Sequence, residues 1–187
     1  MKGLWLIFQI IIAAILLFPL LLLVVSFFTT LITKKRKIDA DFESDFGIIV
    51  TAYKHVDLLE DIVKSILRSN YKQYIIYIVA DGCDVSSLNF NNDKVIVLRP
   101  ETLLSSNIRS HFYAIERFIR EHNVITIFDS DNLVDENYFD VINSFVKQGF
   151  NAVQGVRKAR NLNSVYACLD EAGDIFYRFI DRKLLYE

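Results

Sequence analysis

Cysteine, proline and glycine are all scarce in this chain of 187 residues, which holds two Cys, two Pro and six Gly. Two thiols cannot build a disulfide framework, so stability must come from an apolar core or from a membrane. The shortage of proline and glycine excludes collagen-like repeats and flexible low-complexity tracts, and 13% aromatic residues exclude a disordered chain. Acidic residues are missing from the first 37 positions. Within them, Leu4 to Ile32 carries no charge at all, and only Gln9, Pro19, Ser26, Thr29 and Thr30 interrupt 29 residues of apolar sequence. A basic stripe of the kind that tracks a nucleic-acid backbone is also lacking, so nucleic acid is not an expected partner.

What is present divides the chain in two. A helix of 29 residues rises about 43 Å, enough to cross a hydrocarbon core of about 30 Å with tilt. A cleaved leader would have an apolar stretch of only about 7–15 residues, so the run reads as one anchor, kinked at Pro19 but not split there. Lys34, Lys35, Arg36 and Lys37 follow it, against Lys2 alone on the other side. That asymmetry places the rest of the chain on the cytoplasmic side, and the basic run suits anionic lipid headgroups. The expected organisation is therefore a single-pass anchor over residues 1–37, with the span at about 4–32, and a domain over 38–187. All 23 acids and 16 of the 21 bases lie after Lys37, a net charge of −7. Cys83 and Cys168 are expected to be reduced thiols there.

The domain reads as alternating strands and helices. Phe46–Ala52, Tyr74–Ala80, Lys94–Leu98, Val124–Phe128 and Ala152–Val156 are short apolar runs of strand length. Between them, Asp57–Ser69, Asn107–Glu121 and Asp135–Lys147 carry apolar residues at helical spacing, and Leu162–Leu184 is a longer amphipathic stretch. In the second helix Ile108, Phe112, Ile115, Phe118 and Ile119 are expected to form the core-facing side. Strands apolar on both faces, separated by helices, imply a mostly parallel α/β sheet covered on both sides. In such sheets the ligand crevice opens at the carboxyl ends of the strands.

Polar residues collect at those ends. Thr51–Ala52–Tyr53 closes the first strand, Asp81–Gly82 the second and Asp129–Ser130–Asp131 the fourth. Two carboxylates two positions apart after a buried strand can offer oxygen ligands to a hard cation such as Mg²⁺ or Mn²⁺, which also favours diphosphate oxygens. They can equally be helix-capping groups. Asp81 is either a turn residue or an acceptor for a nucleobase N–H. Arg109, after Asn107 at the start of a helix, joins a cation to free backbone N–H groups and so suits a diphosphate, or is a solvated surface residue. His55 and His111 have no metal-ligand spacing, and Arg157, Lys158 and Arg160 read as a solvated loop or a phosphate-facing patch.

Taken in order, these pieces resemble the family 2 glycosyltransferases, inverting enzymes that use nucleotide sugars and have a GT-A (Rossmann-like) fold. The resemblance runs from about Phe46 to about Arg182. Ile48–Ile49–Val50–Thr51–Ala52–Tyr53 is similar to the family's first strand and nucleotide-binding loop, and Val79–Ala80–Asp81–Gly82–Cys83–Asp84 to the second-strand motif whose Asp contacts the base. Asn107 to Ile115 resembles the family's Asn-x-Gly-Lys-x-x-Ala-Leu stretch, with Arg109–Ser110 where Gly-Lys usually stands. Ile127–Phe128–Asp129–Ser130–Asp131 matches the Asp-x-Asp motif, and Ala152–Val153–Gln154–Gly155 with its basic loop also fits.

The resemblance implies a glycosyltransferase moving a hexose or N-acetylhexosamine from a nucleotide-diphospho-sugar, UDP favoured, to a glycan or lipid-linked acceptor. Thr51, Tyr53 and Asp81 would hold the base, Asp129 the ribose, Arg109 the diphosphate, and Asp131 the Mn²⁺ or Mg²⁺. The family's carboxylate general base and Gln-x-x-Arg-Trp motif are expected beyond Glu187; Asp170, Glu171 and Asp174 match no catalytic position and read as surface charges. Two rival readings are a membrane-tethered donor-binding or scaffold protein without turnover, and a haloacid-dehalogenase-like phosphotransferase with Asp129 as nucleophile. Asn132–Leu133 after the motif, and its place on the fourth strand, speak against the latter.

Overall fold

The computed structural model describes residues 2–32 and 42–180. They form nine elements: α1 (Lys2–Ile32), β1 (Phe46–Tyr53), α2 (Leu59–Leu67), β2 (Tyr74–Asp81), β3 (Val95–Leu98), α3 (Asn107–Ile115), β4 (Val124–Asp129), α4 (Tyr138–Lys147) and α5 (Val165–Ile180). The described residues divide into two compact units, 42–155 and 2–32 with 156–180; each is taken by itself.

In the first unit four parallel strands lie in the order β3-β2-β1-β4. The two central strands are buried along almost their whole length, with Tyr53 the exposed end of β1, as strands covered on both faces must be. On one face Phe46, Ile48, Val50, Tyr74, Ile76, Ile78 and Phe128 meet Leu59, Ile62, Val63 and Ile66 of α2 and Phe139 and Ile142 of α4. Phe139 is the hub of an aromatic cluster with Phe46, Tyr71, Tyr74 and Phe128. The other face packs Ile49, Ile75, Tyr77 and Val79 against Ala114 of α3.

Two expectations change here. From α3, Ser110 and Ala114 are the buried residues that face the sheet, and of the expected apolar stripe only Ile115 and Phe118 pack against this core. Ile108, Phe112 and Ile119 are 66%, 60% and 65% exposed. Small side chains at Ser110 and Ala114 let the helix sit close to the strands, and Ile108, Phe112 and Ile119 are turned outward. The helix also ends at Ile115, where Arg117 and Phe118 donate to Ala114 and Ile115 carbonyls in tight turns, and Phe118 folds into the second core. Second, Ala152–Val156 pairs with no strand. Its apolar run is broken by Gln154 and Gly155; Val153 leans on the core, and Gly155 lies so close to Tyr138 that a Cβ there would meet its ring at 2.8 Å.

Beneath the sheet, at the amino ends of its strands, a polar knot ties the second face. Arg120 makes two bonds to Asp45, at 2.9 and 2.5 Å, and His122 Nδ1 lies 2.7 Å from the same carboxylate. His122 Nε2 is 3.0 Å from the Tyr77 hydroxyl, which accepts from the Ile119 amide at 3.0 Å. The hydroxyl's own proton then goes to Nε2 and leaves the Nδ1 proton for Asp45, so neutral His122 satisfies every group. Gly47 is required beside it: a Cβ would meet His122 Cδ2 at 2.8 Å and Phe118 Cζ at 3.0 Å.

The second unit contains α1, continuous through Pro19 and, over Lys2–Val25, long and apolar enough to cross a membrane. In the same unit Glu171 accepts from the Ala159 amide at 2.7 Å and from Arg178 at 2.8 Å, and Asp174 pairs with Arg157 at 3.3 Å. These acids organise the loop before α5 instead of standing alone. The basic run Lys34–Lys37 and residues 181–187 lie outside the described residues.

Candidate functional site

Strand register brings the polar ends together. Tyr53 is level with Asp81 across β1 and β2, and Thr51 with Asp129 across β1 and β4. The resulting crevice, about 460 Å³, is lined by Thr51, Ala52, Tyr53, Asp81, Ser105, Ser106, Asn107, Ser110, Asp129, Ser130 and Asp131. Five of the six residues singled out from sequence therefore share one cavity. Arg109 does not line it: its guanidinium reaches the Leu104 carbonyl at 3.4 Å from the exposed side of the first turn of α3.

Asp81 is 2% exposed, and its two oxygens accept from the Leu104 and Ser105 amides at 2.9 and 2.8 Å. It pins the loop that forms one wall, while each oxygen keeps a second lone pair for a ligand. The turn after it needs Gly82, at φ +64, since a Cβ there would run into Leu103. Two non-glycine residues on the rim also hold left-handed backbone, Lys54 at φ 62 and Ser105 at φ 49; such conformations cost about 1–3 kcal/mol each and gather at ligand-binding loops. Across the mouth, hydrogen bonding from Ser105 first, then from Lys54, draws the Tyr53 hydroxyl below the usual tyrosine range.

The Asp-x-Asp segment leaves β4 through a tight turn. Asn132 donates to the Asp131 carboxylate at 3.0 Å, and its side-chain oxygen faces the Asp129 amide at 3.4 Å. After it the buried Ser65 hydroxyl of α2 accepts from the Val134 amide at 3.0 Å, and Ser69, just beyond α2, donates to the Glu136 carbonyl at 2.9 Å, so the segment that leaves the turn is anchored there. Asp129 and Asp131 are both exposed. Among the described residues no three His, Cys, Asp or Glu cluster as a metal cage. Two open carboxylates suit a hard cation that takes its remaining ligands from phosphate and water.

The start of α3 supplies the positive pole. Its N-cap, Ser106, makes no side-chain cap bond, so first-turn N–H groups are available to an anion at the crevice. Sequence reasoning missed the serines at 105, 106 and 110 and the brace Asn132; the Ser-Ser-Asn run before the helix was the available signal. Neither His55 nor His111 lines the crevice; His55 is exposed, whereas His111 is half-buried next to the lining residue Ser110, its basicity lowered by burial and partly restored by Asp129.

Comparison with known proteins supplies the context. The family model for Glycosyltransferase like family 2 matches residues 44–186. Among curated proteins none matches the chain. Solved structures share the fold. A mannosyltransferase from Pyrobaculum calidifontis in complex with GDP-Man and Mn²⁺ superposes with TM-score 0.55 at 15% identity, covering 70% of this chain and 39% of that one. S. aureus TarS 1–349 in complex with UDP-GlcNAc gives TM-score 0.51 at 16% identity, covering 62% and 37%. The chain thus spans under two-fifths of the length of either structure. With a family model laid over most of its residues and a GT-A sheet whose strand ends converge on one crevice, the chain belongs to the family 2 glycosyltransferases.

Proposed function

We propose that the crevice binds a nucleotide-diphospho-sugar and that the protein is a membrane-anchored, inverting glycosyltransferase facing the cytoplasm. The observation that carries this reading is the convergence of Thr51, Tyr53, Asp81, Asp129 and Asp131 with the open N-terminus of α3 around one cavity. Thr51, Tyr53 and Asp81 line the end that would take the base, and Asp129 would meet the ribose. The first-turn amides of α3, with Arg109 adding positive charge at the rim, would receive the diphosphate. Asp131 would hold Mn²⁺ or Mg²⁺, whose charge offsets that of the leaving diphosphate. An acceptor hydroxyl of a glycan or lipid-linked saccharide would attack the anomeric carbon from the opposite side. The crevice carboxylates are engaged with base, ribose and metal in this scheme, so the proton passes to a group outside that set.

UDP is the favoured nucleotide, since the Asp at position 81 resembles the family's base-contacting residue. Anchoring is supported by α1, and sidedness by Lys34–Lys37 against Lys2 in the sequence. The test is a thermal-shift titration of the full chain in detergent with UDP, GDP and ADP, each with and without Mn²⁺. Ligand at 100 times its dissociation constant stabilises the native state by about 2.7 kcal/mol. Stabilisation that needs both nucleotide and Mn²⁺ is expected. A melting temperature indifferent to every nucleotide would remove the donor-site reading.

A further inference from the structure

Among the described residues two buried side-chain polar atoms have no hydrogen-bond partner, Ser44 Oγ and His111 Nε2. The second belongs to the residue after Ser110, which lines the crevice. On α3, Ser110 and Ala114 face the sheet, and Tyr113 turns toward the β3 edge, where its hydroxyl reaches the Arg99 carbonyl at 3.2 Å. At about 100° per residue, His111 occupies the opposite flank, toward β4. Asp129 ends β4 on that same face of the sheet: it is level with Thr51, as Ile127 is with Ile49 of the α3-side core. Register partners in a parallel pair point to the same side.

A buried imidazole nitrogen without a partner is costly in either tautomer, and solvent does not reach this one. The anion that the imidazole feels is Asp129, which opposes the effect of burial on its basicity. Asp129 is itself exposed, with a side chain short enough to turn either way. We propose that His111 is a positioning residue: its Nε2–H donates to the Asp129 carboxylate and holds it where a ribose hydroxyl of the bound nucleotide meets it. This rests on the crevice being a nucleotide site.

The test is calorimetric titration of the full chain in detergent, with Mn²⁺, using UDP and GDP and their 2′-deoxy and 3′-deoxy forms. The wild-type chain is expected to prefer the ribonucleotide by about tenfold, the value of one hydrogen bond to a charged group. His111→Ala should erase that preference with its fold intact by circular dichroism, and His111→Gln, which keeps an N–H donor, should restore it. Combined with Asp129→Ala, His111→Ala should add nothing further. A His111→Ala chain that keeps the ribose preference, or that weakens both forms equally, would overturn the inference while leaving the nucleotide site standing. A wild-type chain that binds no nucleotide would overturn both.

Discussion

At the amino ends of the strands Asp45 is saturated, with Arg120 and His122 on its two oxygens and Tyr77 behind the imidazole. At the carboxyl ends of the same strands Asp129 and Asp131 stand exposed, braced on their backbone and flank by Asn132. Asp81 lies between these extremes, buried and bonded but with lone pairs to spare. The carboxylate that closes the structure is satisfied from within, and those at the open end have lone pairs free to meet a ligand. Strained backbone at Lys54 and Ser105 sits at the open end.

Substitutions should separate the two ends. Asp45→Ala strips the partner from the buried His122 and from Arg120, and should cost about 3 kcal/mol in urea unfolding while nucleotide affinity is unchanged. Asp131→Ala should do the reverse: Mn²⁺-dependent nucleotide affinity falls by tenfold or more, about 1.4 kcal/mol or above, with unfolding free energy held. If metal-dependent binding survived Asp131→Ala, the metal assignment would be wrong.

Acid should act on the closed end first. Burial lowers the His122 pKa, against the pull of Asp45. The unfolded chain therefore binds a proton more readily than the folded one, and stability rises with pH through that interval. The contribution is complete above the ordinary histidine range, near pH 6.5, and is lost as pH falls through the lowered folded value. Urea midpoints measured from pH 7.5 down to 5 should decline for the wild type and flatten for His122→Gln. A His122→Gln chain with the wild-type slope would place the sensitivity elsewhere. The smallest effect is expected at Ser105→Gly, which relieves left-handed backbone and should raise stability by about 0.5 kcal/mol, with nucleotide affinity lowered through loss of the contact to Tyr53.

Sheet class, four of the five expected strands and the strand-end acids were legible because each depends on local pattern. Buried parallel strands are apolar on both faces, as Phe46–Ala52 and Tyr74–Ala80 are, and the polar residues that end them follow at once in the chain. The Asp-x-Asp pair could be read for the same reason. The facing of α3 could not, since helical spacing marks an apolar stripe without saying what it packs against, and Ser110 and Ala114 win because a sheet accepts small residues at closest approach.

Long-range partners were equally invisible. Nothing local in Asp45, Tyr77, Arg120 and His122 says that they meet, or that the Asp81 carboxylate is claimed by amides more than 20 residues away. Nor does sequence alone turn Arg109 away from the crevice or leave His111 Nε2 buried without a partner. Apolar periodicity and turn chemistry are encoded over a few residues, so the sequence by itself determined the four paired strands, the order of strands and helices and the strand ends that carry the acids. Which side chains are paired and which are left open depends on register and on helix rotation over the sheet, and only the tertiary structure decided that.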